Sequence, residues 1–147
     1  MTRHIERQIL HLKKLILHFG TMVEESISHS NISLFKQDLS LATKVIANDA
    51  EIDRMEVELE EECLKVLALY QPVAADLRFV VAVLKINNDL ERIGDLTSNI
   101  AKTVSQLAIT GPFELPQEIS VMARQAEEMV KKSLDAVVTA DPDLARQ

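Results

Sequence analysis

Leu69-Tyr70-Gln71-Pro72-Val73-Ala74-Ala75-Asp76 separates two long stretches that both read as helix. Proline lacks a backbone N–H and its ring clashes with the preceding turn, so a helix stops there and another starts just beyond. Upstream, Leu41, Val45, Ile52, Met55, Leu59, Cys63, Val66 and Leu69 recur at helical spacing and predict a helix from about Asp38 to Tyr70. Downstream, Phe79, Val83, Ile86, Leu90, Ile93, Thr97, Ile100, Val104 and Leu107 alternate in steps of four and three. They predict a helix from about Val73 to Ala108, stopped by Gly111-Pro112. Two rods of about 50 Å at 1.5 Å per residue, joined by so short a connection, must lie antiparallel.

Working outward, an earlier helix carries Ile5, Ile9, Leu12, Ile16, Phe19, Val23, Ser26 and Ser30 on one seam, which weakens near Asn31 and Ser33. A turn is expected around Phe35-Lys36-Gln37, with Asp38 as the next N-cap. Residues 1–110 therefore read as an all-α, elongated, antiparallel three-helix bundle. A fourth helix follows Pro116, with Ile119, Met122, Ala126, Met129 and Ser133 on one face, and ends at Asp141-Pro142.

Composition agrees. The 147 residues are 47% hydrophobic and 27% charged, with three Gly, four Pro, four Phe, one Tyr and no Trp. That profile disfavours sandwiches, barrels and Gly-rich nucleotide folds. The net charge of −7 makes nucleic acid an unfavourable partner, because the basic footprint and stacking aromatics are missing. Cys63 alone cannot form an intramolecular disulfide or a cysteine zinc site. No apolar run reaches membrane-spanning length and no signal-type stretch opens the chain, which points to the cytoplasm.

A repeat is visible. Asp38-Leu39-Ser40-Leu41-Ala42 and Asp141-Pro142-Asp143-Leu144-Ala145 share Asp-x-x-Leu-Ala, each preceded by Met-Val-x-x-Ser and Ile or Leu: Met22 to Ile27, and Met129 to Leu134. Residues 111–147 thus read as the first helix, and the start of the second, of a further bundle cut short at Gln147. The fourth helix would have an apolar face with too few partners unless another subunit covers it.

Acidic charge concentrates between Asp49 and Glu62, where eight carboxylates face only Arg54. Most of these suit a solvated helix face. Two pairs differ. Asp49 with Asp53, and Glu91 with Asp95, are each spaced i, i+4 and so share a helix face. Asp53 and Glu91 also lie equally far from Pro72 along the chain, as do Asp49 and Asp95, so an antiparallel hairpin sets all four at one height. Like charges at this spacing cost about 0.2–0.5 kcal/mol per pair. A multivalent cation removes that cost, and an all-carboxylate set suits hard ions such as magnesium, calcium, manganese or iron. The competing reading is a surface cluster neutralised by Arg54, Arg92 or lysines. Glu56, Asn88, Arg92 and Asn99 flank the four as candidate supporting residues.

The stretches Asp49-Ala50-Glu51-Ile52-Asp53, Gln71-Pro72-Val73-Ala74-Ala75-Asp76-Leu77-Arg78, Asp89-Leu90-Glu91-Arg92-Ile93-Gly94-Asp95 and Asn99-Ile100-Ala101 resemble the PhoU family of phosphate-uptake regulators. The resemblance is clearest over residues 38–102. It implies two tandem three-helix bundles, with metal bound through Glu/Asp-x-x-x-Asp motifs that fall here on Asp49 and Asp53 and on Glu91 and Asp95. Iron, zinc, magnesium and manganese are the ions it implies. It further implies a cytoplasmic regulator that couples the ATPase subunit of a phosphate ABC transporter to a membrane sensor histidine kinase. Such a regulator represses the phosphate-starvation response, reaches the membrane only through those partners, and forms homodimers or higher oligomers. The last two helices of the second bundle are missing from these 147 residues, which fits either a fragment or a naturally short member.

No nucleophile–base pair or phosphate-cradling Gly loop appears, so no catalytic residue is assigned. Two alternatives compete with a regulator. One is a di-iron carboxylate oxidoreductase, which would draw Glu-x-x-His motifs into a bundle core. The other is a purely structural helical interaction module. Several residues have structural explanations set against functional ones. His4, His11 and His18 form a heptad stripe with Arg7 and Lys14; it complements the acidic run, with His11 level with Glu62 and His18 with Met55, or else senses pH. Cys63 is a packing residue or a reactive thiol. Asp76 suits a helix N-terminus, with partner contact the other role for it and Arg78. Gly94 marks close helix contact, or room for a metal or water between Glu91 and Asp95.

Overall fold

A computed structural model describes residues 2–140 and 142–147. The order is α1 (Thr2–Lys36), α2 (Leu39–Tyr70), α3 (Ala74–Ile109), α4 (Gln117–Thr139) and the short α5 (Pro142–Ala145). There is no strand among the described residues, and the all-α bundle expected from the sequence is found. Helices α1, α2 and α3 pack on one another, and α4 lies along α1. No helix is long and apolar enough to cross a membrane.

Each turn has a local cause. Helix α1 does not fade at Asn31 and Ser33 but runs to Lys36. The buried Ser30 and Ser33 hydroxyls donate to carbonyls one turn back, Ile27 at 2.9 Å and Ser30 at 2.7 Å, so polar residues enter the core already satisfied. Gln37 then turns left-handed at φ 53°, and the Asp38 side chain accepts from the Leu41 N–H at 3.0 Å, the predicted N-cap. Gln71 ends α2 in the same left-handed conformation, immediately before Pro72. Gly111, at φ 98°, follows α3 as expected. The Gln37 side chain reaches across to this second connection: its Nε2 donates to the Phe113 carbonyl at 2.7 Å and its Oε1 accepts from the Phe113 N–H. Ala140, at φ 51°, is the C-cap of α4. The expected stop at Asp141 lies outside the described residues.

The main core joins Leu12, Ile16, Phe19 and Val23 of α1 to Ile52, Leu59, Cys63 and Val66 of α2 and to Val80, Val83 and Leu90 of α3. Full burial of such side chains contributes roughly 1.5–3 kcal/mol each. A smaller cluster of Ala42, Val45, Ala101 and Val104 closes the other end. Between them lies a polar layer: Ser26 and Thr97 hydroxyls hydrogen-bond at 2.6 Å, fixing α1 against α3.

Three stripes need correction. On α3 the buried positions are Val80, Val83, Asn87, Leu90, Gly94, Thr97, Ser98, Ala101 and Val104. The expected Phe79, Ile86, Ile93, Ile100 and Leu107 sit at the shoulder, half-buried, because the crowded α2/α3 contact admits smaller residues. On α2, Ala42 is buried rather than Leu41, and Leu69 is 66% exposed at the hairpin tip. On α4, Leu134 and Ala136 are buried, whereas Met122 and Met129 of the expected face are 62% and 68% exposed. The helix is turned by its own anchors on α1. Leu134 packs at Gly20, where an added Cβ would stand 2.9 Å from it, and the Glu127 carboxylate accepts from Asn31 Nδ2 at 2.6 Å.

Gly94 is a point of close helix contact. A Cβ built there stands 2.9 Å from Cγ2 of buried, β-branched Ile52. Mid-helix Gly→Ala ordinarily stabilises by up to about 1 kcal/mol. Here Gly94→Ala should reverse that sign and destabilise by about 1–3 kcal/mol through overpacking. Denaturant unfolding checks this, and Ile52→Ala, which removes the obstructing methyl, should shrink the cost in a double-mutant cycle.

Candidate metal centre

The α2/α3 hairpin brings three of the four expected carboxylates together. Asp49 and Asp53 project from α2, and Asp95 from α3, so that one carboxylate oxygen of each lies within 4.8 Å of the others. Oxygens bound to one hard ion at 2.0–2.6 Å stand at most about 4–5 Å apart, so the spacing fits a shared cation. Glu91, one turn before Asp95, is not among the three whose oxygens converge; it lies beside them, within hydrogen-bonding reach of Asp95.

Crowding shows in the acid strengths. The Glu91 carboxyl is pushed up to about 7, first by its hydrogen bond to Asp95, then by burial and by the charges of Asp95, Asp53 and Glu56. Asp49 is raised by burial, then by Asp53 and Asp95, against a lowering from Lys102. Glu56 is raised by burial, then by Glu60, Asp53 and Asp95, which places it at the rim of the same negative field.

The donor set suits a cation. Asp49 Oδ1 is buried and finds no hydrogen-bond partner among the described residues. A buried acceptor without a donor costs roughly 1–3 kcal/mol, and a cation would satisfy it. All donors are carboxylate oxygens, the chemistry of hard ions. The cluster contains no histidine or cysteine. The residues present therefore fit a hard metal ion.

Of the expected neutralisers, a lysine, Lys102, acts on Asp49, and the two arginines stand elsewhere. Arg54 pairs with Glu51 on the exposed face of α2. Arg92 is exposed and forms no ion pair among the described residues. Asn88 and Asn99 are also exposed, and neither side chain donates to the cluster. Two neighbours went unnoticed in the sequence. Lys102 is the cation nearest in effect to Asp49; its i, i+7 spacing from Asp95 is the signal that would have found it. Asn87 is buried and donates Nδ2 to the Glu56 carbonyl at 2.9 Å. An Asn within an apolar seam was the available sign.

Of the histidine stripe, His11 Nε2 lies 3.7 Å from Glu62, the partner expected at its height, and His18 lines a cleft with Met55 and Glu58. Cys63 is fully buried, with its thiol pushed up to about 11 by burial and the charges of Glu62 and Glu60. Asp76 lies in the first turn of α3, where its negative charge is favourable.

The PhoU domain profile matches residues 16–104, which contain all four carboxylates. The chain belongs to the PhoU family. It is 36% identical to a phosphate-specific transport system accessory protein PhoU homologue of Aquifex aeolicus, over 96% of this chain and 64% of the relative. The homologue of Pseudomonas aeruginosa is 36% identical over 99% of this chain and 62% of the relative. The crystal structure of PhoU from Pseudomonas aeruginosa has a TM-score of 0.92 and 34% identity, covering 96% of this chain and 68% of that one. That of the phosphate transport system regulatory protein PhoU from Streptococcus pneumoniae has a TM-score of 0.82 and 30% identity, covering 90% and 62%. The chain thus spans a little over three fifths of the length of the curated PhoU relatives it matches.

The raised Glu91 pKa fixes the direction of a pH effect on stability. Its folded value lies above that of an unfolded glutamic acid, so the metal-free protein gains stability where the carboxyl is protonated. That contribution is full below the unfolded value of about 4.3 and is lost as pH rises through about 7. Thermal melts of metal-free protein should show the midpoint falling across this window, and Glu91→Gln should flatten the profile.

Proposed function

We propose that this chain is a metal-binding regulator of phosphate uptake. The observation that carries the metal reading is the meeting of Asp49, Asp53 and Asp95 donors within 4.8 Å, beside Glu91. These four would hold the ion. When bound, a multivalent cation supplies positive charge and coordination positions open to oxygen ligands such as phosphate. The carboxylates supply the opposing charge, and Lys102 reduces the repulsion on Asp49. Iron, zinc, magnesium and manganese are the candidates, with the all-oxygen set favouring the harder ions. Phosphate could approach so acidic a hairpin only through such a cation.

The regulatory reading is supported by the relatives, which are named as accessory proteins of phosphate-specific transport systems. On this reading the protein acts in the cytoplasm as a homodimer or higher oligomer. It docks on the transporter's ATPase subunit and on a sensor histidine kinase, and shifts the partner's conformational balance rather than performing chemistry. The exposed position of Asp53 and Asp95 on the outside of the bundle favours this over a di-iron oxidoreductase, whose carboxylates line a bundle core.

Elemental analysis of purified protein tests the metal reading. Wild type should retain metal, and Asp53→Asn with Glu91→Gln should reduce it to background while leaving the helical content unchanged. Equal metal content in the two proteins, with equal or higher stability in the variant, would favour a purely structural module.

A further inference from the structure

We infer that Asn87 is a positioning residue that pins the register of α2 against α3 so that the carboxylates meet. The inference rests on the metal reading of the cluster. Asn87 is 1% exposed and sits on the buried seam of α3 between Val83 and Leu90, among apolar neighbours. Its Nδ2 donates to the Glu56 main-chain carbonyl on α2 at 2.9 Å. That contact lies one turn before Glu91 on α3 and three residues beyond Asp53 on α2, so it ties the two helices beside the site.

Apolar contacts are non-directional, so along the seam away from the Gly94–Ile52 fit one methyl can replace another after a shift. A directional bond to one carbonyl does not tolerate that exchange. A slip of one helical turn is about 5.4 Å, more than a shared ion would accept between donors from the two helices. A buried polar residue that fixes helix register at a cost in stability has precedent in coiled coils. The cost is visible here. Asn87 Oδ1 is buried and has no hydrogen-bond partner among the described residues, so an apolar residue of similar size would pack at lower cost.

Manganese titration and thermal melts of the full chain separate positioning from packing. Asn87→Leu should melt at the same temperature as wild type or higher, yet bind Mn²⁺ about tenfold more weakly, the scale on which supporting residues act. Val83→Ala, a core deletion one turn away, should lower the melting temperature and leave Mn²⁺ affinity unchanged. Unchanged affinity in Asn87→Leu, or an equal loss in Val83→Ala, would overturn the inference. A second measurement does not need the ion. Spin labels on cysteines introduced at exposed Val57 and Lys85 report the α2/α3 register, and buried Cys63 stays unlabelled. Asn87→Leu should broaden the distance distribution or add a second distance; a single unshifted distance would sink the pin even if wild type binds manganese. If wild type takes up no Mn²⁺ while the distances still split, the metal reading fails and the register pin stands.

Discussion

The close approach of α2 and α3 at Gly94 is the constraint on which the rest of the molecule depends. Only a residue without Cβ lets Ile52 fill that position, and Ile52 is itself almost fully buried. Because the contact lies between Glu91 and Asp95 on one helix and between Asp49 and Asp53 on the other, it sets the distance across which the carboxylates face each other. A wider separation would relieve their repulsion and dissolve the site. The core therefore holds together groups that the surface would drive apart; the pKa values of Asp49 and Glu56 are raised first by burial and that of Glu91 first by its hydrogen bond to Asp95, with the neighbouring charges adding to each.

The core's division into two clusters follows the same geometry. Leu90 belongs to the large cluster and Ala101 to the small one; Thr97 and Ser98 lie between them on α3, as Ser30, Asn31 and Ser33 do on α1 and Asp49 does on α2. A purely apolar layer here would bury Asp49 beside hydrocarbon and penalise its ionised form. Small hydroxyl residues permit tight packing and pair with one another across helices, as Ser26 and Thr97 do, while Asp49 Oδ1 and Ser98 Oγ stay without a hydrogen-bond partner among the described residues.

How much of this could be read beforehand depends on the physics behind each feature. Pro72 and Asp38 act locally, so the helix ends and the cap were legible to within a residue or two. The meeting of Asp49 and Asp53 with Asp95 was also legible, because an antiparallel hairpin converts distance from Pro72 into height; Glu91, level with Asp53 by the same rule, lies beside the group. Which residues on α3 would be innermost was legible only in part: Val83, Leu90, Thr97 and Val104 are buried as the seam predicts, and the alternate positions are not. A seam of Ile86, Ile93 and Ile100 is the more hydrophobic choice, yet crowding selects Asn87, Gly94 and Ala101. Hydrophobicity reports which face turns inward; size decides which row of that face touches the neighbour. Long-range polar contacts, such as Gln37 with Phe113 and Asn31 with Glu127, left no pattern in the chain, since each joins residues far apart in sequence through one side chain.

The repeat separates these effects most cleanly. Met22-Val23-x-x-Ser26-Ile27 and Met129-Val130-x-x-Ser133-Leu134 carry nearly the same pattern on α1 and α4. In α1, Val23, Ser26 and Ile27 are all buried, because α2, α3 and α4 all pack on it. In the α4 copy of the pattern only Leu134 reaches that depth, while Met129 and Ser133 stay exposed, since α1 is the long helix it rests on. An apolar groove lined by Leu34, Ile93, Leu96, Ile100, Met122 and Val130 is the result. Periodicity thus encodes the face a helix can bury, and burial itself is conferred by the number of neighbours. The same argument explains why the acidic pairs gain significance only as a set: two carboxylates on one helix are a surface feature, and the second helix makes them a site.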